Sequence, residues 1–141
     1  YLLKEKIKST FILTNCDTLL EGDYADFLKW HLSNKNIITI IGSHMEINVP
    51  YGVLNMTKGV LDEMVEKPKY DLFVNTGSYV MEPELFKFID DFENLDIDKL
   101  ILKLKHNNVK NIGVFPSWGR WFDIGQWDEY KKTLKNMGIE N

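Results

Sequence analysis

The chain has a single cysteine, Cys16, only four prolines, and no excess of positive charge: 17 lysines and arginines stand against 21 aspartates and glutamates in 141 residues, a formal net charge of -4. One cysteine excludes an internal disulfide framework and fits a reducing compartment, so a cytoplasmic location is expected. Acids and bases are mixed along the chain, which leaves no basic stripe to neutralise a phosphate backbone, and nucleic acid is not an expected partner. Long apolar runs are also lacking. Those present, such as residues 37–41, are far too short to span a bilayer, and the first residues do not form a charged-then-apolar signal sequence, so no membrane partner is expected. No repeat, low-complexity segment or interdomain linker interrupts the chain. What is there in quantity is core material. With 44% hydrophobic and 13% aromatic residues, residues 1–141 read as one domain with a core of its own.

Local patterns order that material into strands and helices. Leu2, Leu3 and Ile7 fall on one side at helical spacing, as in the tail of a helix. Phe11-Ile12-Leu13-Thr14 is a continuous apolar run into polar Asn15-Cys16-Asp17, the pattern of a strand buried on both faces that runs into a loop. Asp23 is a good N-cap for a helix carrying Tyr24, Phe27, Leu28, His31 and Leu32, and a second β-branched strand follows at residues 37–41. Strand, loop, helix and strand within about forty residues predict a right-handed crossover. The fold class is therefore α/β: a Rossmann-like, mixed and mainly parallel sheet flanked by helices. Residues 52–55 and 60–65 predict a hairpin around Gly59, and Pro68 stops regular pairing. Another strand at residues 74–81 is interrupted by Gly77. Pro83 opens a helix carrying Leu85, Phe86, Phe88 and Ile89. A further helix is expected over 98–106, a strand over 109–115, and a last helix from Trp127, Tyr130, Leu134 and Met137, closed by Gly138.

Four places could carry chemistry, each with a plainer alternative. Asp17 follows a strand at the sheet edge where open α/β folds bind ligands, and is a hard oxygen donor suited to Mg²⁺; alone, it reads as well as a turn cap. Glu66-Lys67-Pro68 sets an acceptor beside a point cation, able to grip a sugar hydroxyl and a phosphate, or marks an exposed strand end. Asn75-Thr76-Gly77 supplies an amide, a hydroxyl and a close backbone approach within an apolar stretch, or a simple β-bulge. Asp123 lies among aromatics before the last helix, where it either meets a cation or caps that helix, while Arg120 pairs with either acid, Asp17 or Asp123, or lies on the surface. His31, His44 and His106 lack the spacing of a metal site or a relay and receive no role. Cys16 has no base near it in sequence and is expected to pack as a small buried thiol.

In order and spacing these motifs resemble the sugar-1-phosphate nucleotidyltransferase family, from Phe11 to about Leu134. The family's Asn-Gly-Asp stands here as Asn15-Cys16-Asp17, its Tyr-Gly-Val as Tyr51-Gly52-Val53, and its Glu-Lys-Pro as Glu66-Lys67-Pro68. Its Asn-(Ala or Thr)-Gly-x-Tyr is Asn75-Thr76-Gly77-Ser78-Tyr79, and its Trp-x-Asp-x-Gly is Trp121-Phe122-Asp123-Ile124-Gly125. The resemblance implies that a sugar 1-phosphate attacks the α-phosphorus of a nucleoside triphosphate and expels pyrophosphate, a reaction catalysed mostly by positioning and charge neutralisation. It further implies that Asp17 and Asp123 hold Mg²⁺, that Lys67 holds the phosphate, that Glu66 and Asn75 bind sugar hydroxyls, and that Gly52 and Thr76 add backbone or hydroxyl contacts. Two departures stand out. Cys16 replaces the usual glycine, which crowds the approach of a phosphate, and the family's Gly-x-Gly-x-Arg loop, whose amides cradle the triphosphate, does not occur.

The chain therefore reads as the sugar-phosphate and metal part of a nucleotidyltransferase, beginning partway through the domain. A non-catalytic sugar-phosphate-sensing or assembly domain is the first alternative; the retained Asp17 and Asp123 favour the enzyme, because a sensor needs no metal pair. A metal-dependent glycosyltransferase is the second, weakened by the absence of an Asp-x-Asp arrangement at Asn15-Cys16-Asp17. Two outcomes are expected of this chain alone. The strand at Phe11 lacks a neighbour, so the chain self-associates through that edge; light scattering checks this, and a monodisperse monomer in dilute solution argues against it. Without the triphosphate cradle it does not turn over, and detectable pyrophosphate release overturns that expectation.

Overall fold

Asp23 opens the first helix as its sequence predicts: its carboxylate accepts a 2.8 Å hydrogen bond from the Ala25 amide, and α1 runs over Tyr24–Ser33 with Phe27 and His31 turned inward. The structure, a computed structural model, describes residues 3–90, 95–125, 131, 134, 135 and 138. Before α1 lie β1 (Phe11–Thr14) and β2 (Thr18–Leu20). After it come β3 (Ile38–Asn48), β4 (Val53–Thr57), β5 (Val60–Val65) and β6 (Lys69–Met81). A short 3-10 helix (Pro83–Phe88), α2 (Ile97–His106), β7 (Ile112–Ser117) and β8 (Trp121–Asp123) complete the described elements.

The central sheet has the order β1-β6-β3-β7. It is mixed: β7 runs parallel to β3, while β6 is antiparallel to both β1 and β3. Strands β1 and β3 thus point the same way, as a crossover through α1 requires, yet they do not touch because β6 lies between them. That insertion of one antiparallel strand makes the sheet mixed, with β1, β3 and β7 running in one direction. It also places β1 at the edge of the sheet, where Ile12 and Leu13 are 40% and 42% exposed, so β1 is not buried on both faces.

Alternation along the strands feeds two cores on opposite faces of the sheet. Ile38, Tyr79 and Met81 pack with Leu85, Leu100 and Leu104 from the 3-10 helix and α2. Ile41 and Val80, on the other face, pack with Phe27 of α1. The arrangement is helix, sheet, helix, as α/β patterning requires. Strands β3 and β6 then run on past this core as a two-stranded extension, pairing down to Asn48 with Lys69. Beyond it β4 and β5 form a separate hairpin whose turn residues, Lys58 and Gly59, both have positive φ, 51° and 84°. Such a turn matches the right-handed twist of the paired strands.

Other expectations are met in reduced form. The opening residues make one helical turn, with the Lys6 and Ile7 amides both 2.9 Å from the Leu3 carbonyl. The helix expected after Pro83 is a 3-10 turn. Of the last helix, Trp127, Tyr130 and Met137 lie outside the described residues; Gly138 has the positive φ, 69°, expected of a residue that ends a helix. No helix among the described residues is long and apolar enough to cross a membrane.

Candidate functional site

Strands β2 and β8 pair as a short antiparallel ribbon, with Thr18 opposite Asp123. Asp17 immediately precedes β2, and its carbonyl accepts a 2.8 Å bond from the Ile124 amide. The two acids, distant in sequence, therefore share one end of the ribbon. Gly125 shows how closely: a Cβ built there would strike Asp17 Oδ2 and fall 3.2 Å from Asp123 Oδ1. Asp123 Oδ1 also accepts the Gly125 amide at 3.1 Å, which keeps its carboxylate turned toward the glycine.

The ribbon is fastened to the central sheet at Thr76, which is 1% exposed. The Thr76 carbonyl accepts from Thr18 Oγ1 at 3.4 Å and from Trp121 Nε1 at 3.2 Å. Its hydroxyl donates to the Ile41 carbonyl at 2.8 Å and accepts from the Ser78 amide at 3.3 Å, so Thr76 belongs to the frame of the site. Next to it, Gly77 has φ +75°, and a Cβ there would sit 2.6 Å from Asn15 Nδ2. Only glycine allows Asn15 this close, and the Asn15 amide closes the contact with a 3.1 Å bond to the Gly77 carbonyl. Asn75 is oriented by donating to the Tyr79 hydroxyl at 2.7 Å. Between the ribbon and β6 lies a cavity of about 330 Å³ bounded by Asn15, Thr18, Asn75, Thr76, Trp121 and Asp123. That volume is at the lower end of the range for small-molecule sites.

Asp17, Asp123, Asn75 and Thr76 are thus brought together. Gly52, Glu66 and Lys67 form a second cluster at the base of the β4–β5 hairpin. A Cβ on Gly52 would approach Glu66 Oε2 to 2.9 Å, and the Lys67 amide bonds to the Tyr51 carbonyl at 3.2 Å. Lys67 has φ 46°, an uncommon conformation for a residue other than glycine, and its side chain is exposed. The clusters lie apart. Asn75 pairs with Gly42 and Lys69 with Asn48, so about 20 Å of extended strand separates them.

Three further residues differ from or sharpen the reading of the sequence. Cys16 is exposed in the turn before β2, so it neither packs as a buried thiol nor closes the cavity. Arg120 is taken by Glu21, bonding its two carboxylate oxygens at 2.6 and 2.9 Å, and this charge-assisted fork holds the Glu21 carboxyl below its ordinary range. His31 is fully buried, with Nδ1 2.8 Å from Thr39 Oγ1 and Nε2 3.1 Å from Glu82 Oε1. A cavity of about 360 Å³ adjoins it, but none of the motif residues lines that space. The reading of the sequence missed Thr18 and Trp121 as the side chains that dock the ribbon. Their signal is the alternation of Trp121 and Asp123, too short at three residues to mark a strand.

The acids fit Mg²⁺. They are hard oxygen donors facing one small gap, and Mg²⁺ characteristically takes one or two carboxylates with water or substrate phosphate completing its shell. Among the described residues no group of three or more His, Cys, Asp or Glu side chains could hold a metal; the two acids alone leave most of such a shell to the substrates.

The model of the nucleotidyl transferase family matches residues 1–138. The chain belongs to that family. It is 30% identical over 132 residues to "Probable mannose-1-phosphate guanylyltransferase 2" of Oryza sativa subsp. japonica, covering 89% of this chain and 35% of the relative. It is 27% identical over 136 residues to the UTP–glucose-1-phosphate uridylyltransferase of Synechocystis sp., covering 91% and 35%. Among solved structures, HddC from Yersinia pseudotuberculosis has a TM-score of 0.64 at 23% identity over 96% of this chain and 59% of the other. The UTP-bound UGPase from Acinetobacter baumannii has a TM-score of 0.65 at 16% identity, covering 99% and 54%. These likenesses share the α/β fold. The chain spans about a third of the length of the curated relatives it matches.

The site geometry generates one test of its own. Gly125→Ala places a methyl group against the Asp17 carboxylate and drives the two acids apart, so calorimetric titration with Mg²⁺ is expected to show affinity reduced tenfold or more while the unfolding midpoint moves little. Unchanged Mg²⁺ affinity would show that the two acids do not act as a pair.

Proposed function

We propose that this chain carries the metal and sugar-phosphate residues of a sugar-1-phosphate nucleotidyltransferase, which joins a nucleoside triphosphate to a hexose 1-phosphate. The observation that carries the reading is the convergence of Asp17 and Asp123 on Gly125, beside a cavity lined by Asn75. In the reaction, an oxygen of the sugar phosphate forms a bond to the α-phosphorus while the bond from that phosphorus to the β-phosphate bridging oxygen breaks, releasing pyrophosphate. The attacking phosphate is already ionised, so neither aspartate needs to remove a proton. Mg²⁺, when bound, supplies the positive charge that neutralises and aligns the two phosphates. Asp17 and Asp123 hold it; Asn75 binds a sugar hydroxyl with the amide oxygen and hydrogen that its bonds to Gly77 and Tyr79 leave available; Thr76 fixes the frame.

Lys67, Glu66 and Gly52 enter through the motif and through Lys67's left-handed backbone, a strain of the kind that clusters at ligand clamps. Lys67 takes the sugar phosphate and Glu66 a hydroxyl. The names of the relatives make mannose and glucose 1-phosphates the first sugars to test. Self-association through the β1 edge, which no described strand covers, and residence in the cytoplasm belong to the same reading.

Calorimetric titration of sugar 1-phosphates in the presence of Mg²⁺ tests it. Binding is expected for at least one hexose 1-phosphate, with Lys67→Ala abolishing the heat, and with Asp17→Asn and Asp123→Asn each weakening Mg²⁺ by tenfold or more. Absence of heat with every sugar phosphate would overturn the proposal. Dependence of Mg²⁺ on Asp17 with indifference to Asp123 would favour a glycosyltransferase instead.

A further inference from the structure

On the sheet face that carries Asn75 and Tyr79, three aromatic side chains form a platform just beyond the cavity. His44 and Trp118 lie ring over ring, centroids 4.4 Å apart and 32° between planes, and Phe73 meets Trp118 edge to face at 5.5 Å and 84°. Phe73 pairs with His44 and stands two residues from Asn75 on the same face, about 7 Å along the strand. Gly42, opposite Asn75, is buried against the platform: a Cβ there would lie 3.3 Å from Phe73 Cβ and 3.2 Å from Val114 Cγ1, so Phe73 packs directly over it.

Trp118 is 72% exposed but not loosely held. Ser117 before it is paired to Ser43 in the sheet. Gly119 after it lies so close to the Glu21 carbonyl that any side chain would collide, and Arg120 is locked to Glu21 through its side chain and its carbonyl, the latter 2.8 Å from the Glu21 amide. A large apolar ring is therefore presented to solvent on a rigid loop, with one face covered by His44. Aromatic rings displayed this way carry much of the energy at binding surfaces, because little side-chain freedom remains to be lost. At the rim, Asp71 Oδ1 accepts from His44 Nε2 at 2.9 Å, and its carboxylate is otherwise largely open.

From this arrangement we infer that Trp118, backed by His44 and Phe73, is the stacking surface for the apolar face of the hexose ring, and that Asp71 accepts hydrogen bonds from ring hydroxyls. The inference rests on the function proposed above and adds a determinant of sugar choice outside every motif of the family resemblance. A hexose matches the platform: one face presents C–H groups and the rim presents hydroxyl donors, answering an aromatic plane with an acceptor at its edge. The platform also occupies the stretch between the cavity and the hairpin base, so a ligand reaching from Asn75 toward Glu66 passes over it.

Tryptophan fluorescence and calorimetry on the same chain, titrated with mannose and glucose 1-phosphates, test the inference. The parent is expected to change its emission on binding. Trp118→Ala is expected to lose most of that change and to bind about tenfold more weakly, while Trp118→Phe retains affinity to within about threefold; matching unfolding midpoints confirm that the variants are folded. Calorimetric binding by the parent with equal affinity in Trp118→Ala would overturn this inference and leave the proposed function standing. A Trp118-dependent emission change produced by a nucleoside triphosphate and not by a sugar phosphate would overturn it in favour of a nucleobase site. No heat with any sugar phosphate would remove the proposed function and this inference together.

Discussion

The carbonyl of Thr76 is where the site and the fold meet. A buried carbonyl in a strand interior normally finds its partner in the neighbouring strand, and one without a partner costs free energy comparable to a lost hydrogen bond. Here the positive φ of Gly77 turns the chain, and the Thr76 oxygen is satisfied from outside the central sheet by Thr18 and Trp121. Meanwhile the Thr76 hydroxyl reaches back to Ile41 in β3. One residue thus joins β3, β6, β2 and β8. Because Asp17 precedes β2 and Asp123 ends β8, fastening the ribbon at Thr76 also fixes where the acids meet.

That meeting has an electrostatic consequence. Two carboxylates facing one gap favour a cation between them. The nearest base in sequence to Asp123 is Arg120, and it forks onto Glu21 instead. The same fork braces the loop carrying Trp118. A single ion pair therefore withdraws a competing cation from the acids and stiffens the platform beside the cavity. Exposed pairs contribute little to stability, and the value of this one lies in what it positions.

Much of this could be read from the sequence, and the residues show where reading stops. The Asp23 cap, the inward spacing of Phe27 and His31 and the Lys58-Gly59 turn are local effects, and each appears where the sequence places it. The acid pair was legible only through the order of motifs, since neither aspartate alone exceeds the ordinary expectation of a cap. Illegible were facts that depend on distant partners. Nothing in the run from Phe11 to Ile41 says that β6, arriving some thirty residues later, inserts between β1 and β3. An apolar run has the same composition at a sheet's centre and at its edge, so Ile12 and Leu13 looked buried. Trp118 carried no signal at all, because its significance is the company of His44 and Phe73 from two other strands.

The distance between the two clusters of motif residues follows from how unevenly the core is distributed. Packing is concentrated around Ile38, Ile41, Tyr79, Val80 and Met81, while most residues of β3 and β6 past Ser43 and Asn75 are exposed. The β4–β5 hairpin forms a two-stranded sheet of its own, and such hairpins are marginally stable in water without further packing. Segments with few buried contacts open at low cost, and ligand-binding elements are drawn from that end of the stability range. Gly52, Glu66 and Lys67 therefore sit on a sparsely packed part of the fold, while Asp17 and Asp123 sit on a ribbon fastened to the sheet at the buried Thr76. In the proposed function a phosphate held by Lys67 has to reach acids fastened to the sheet at Thr76, so the adjustment that joins the two clusters falls to the hairpin and the β3–β6 extension.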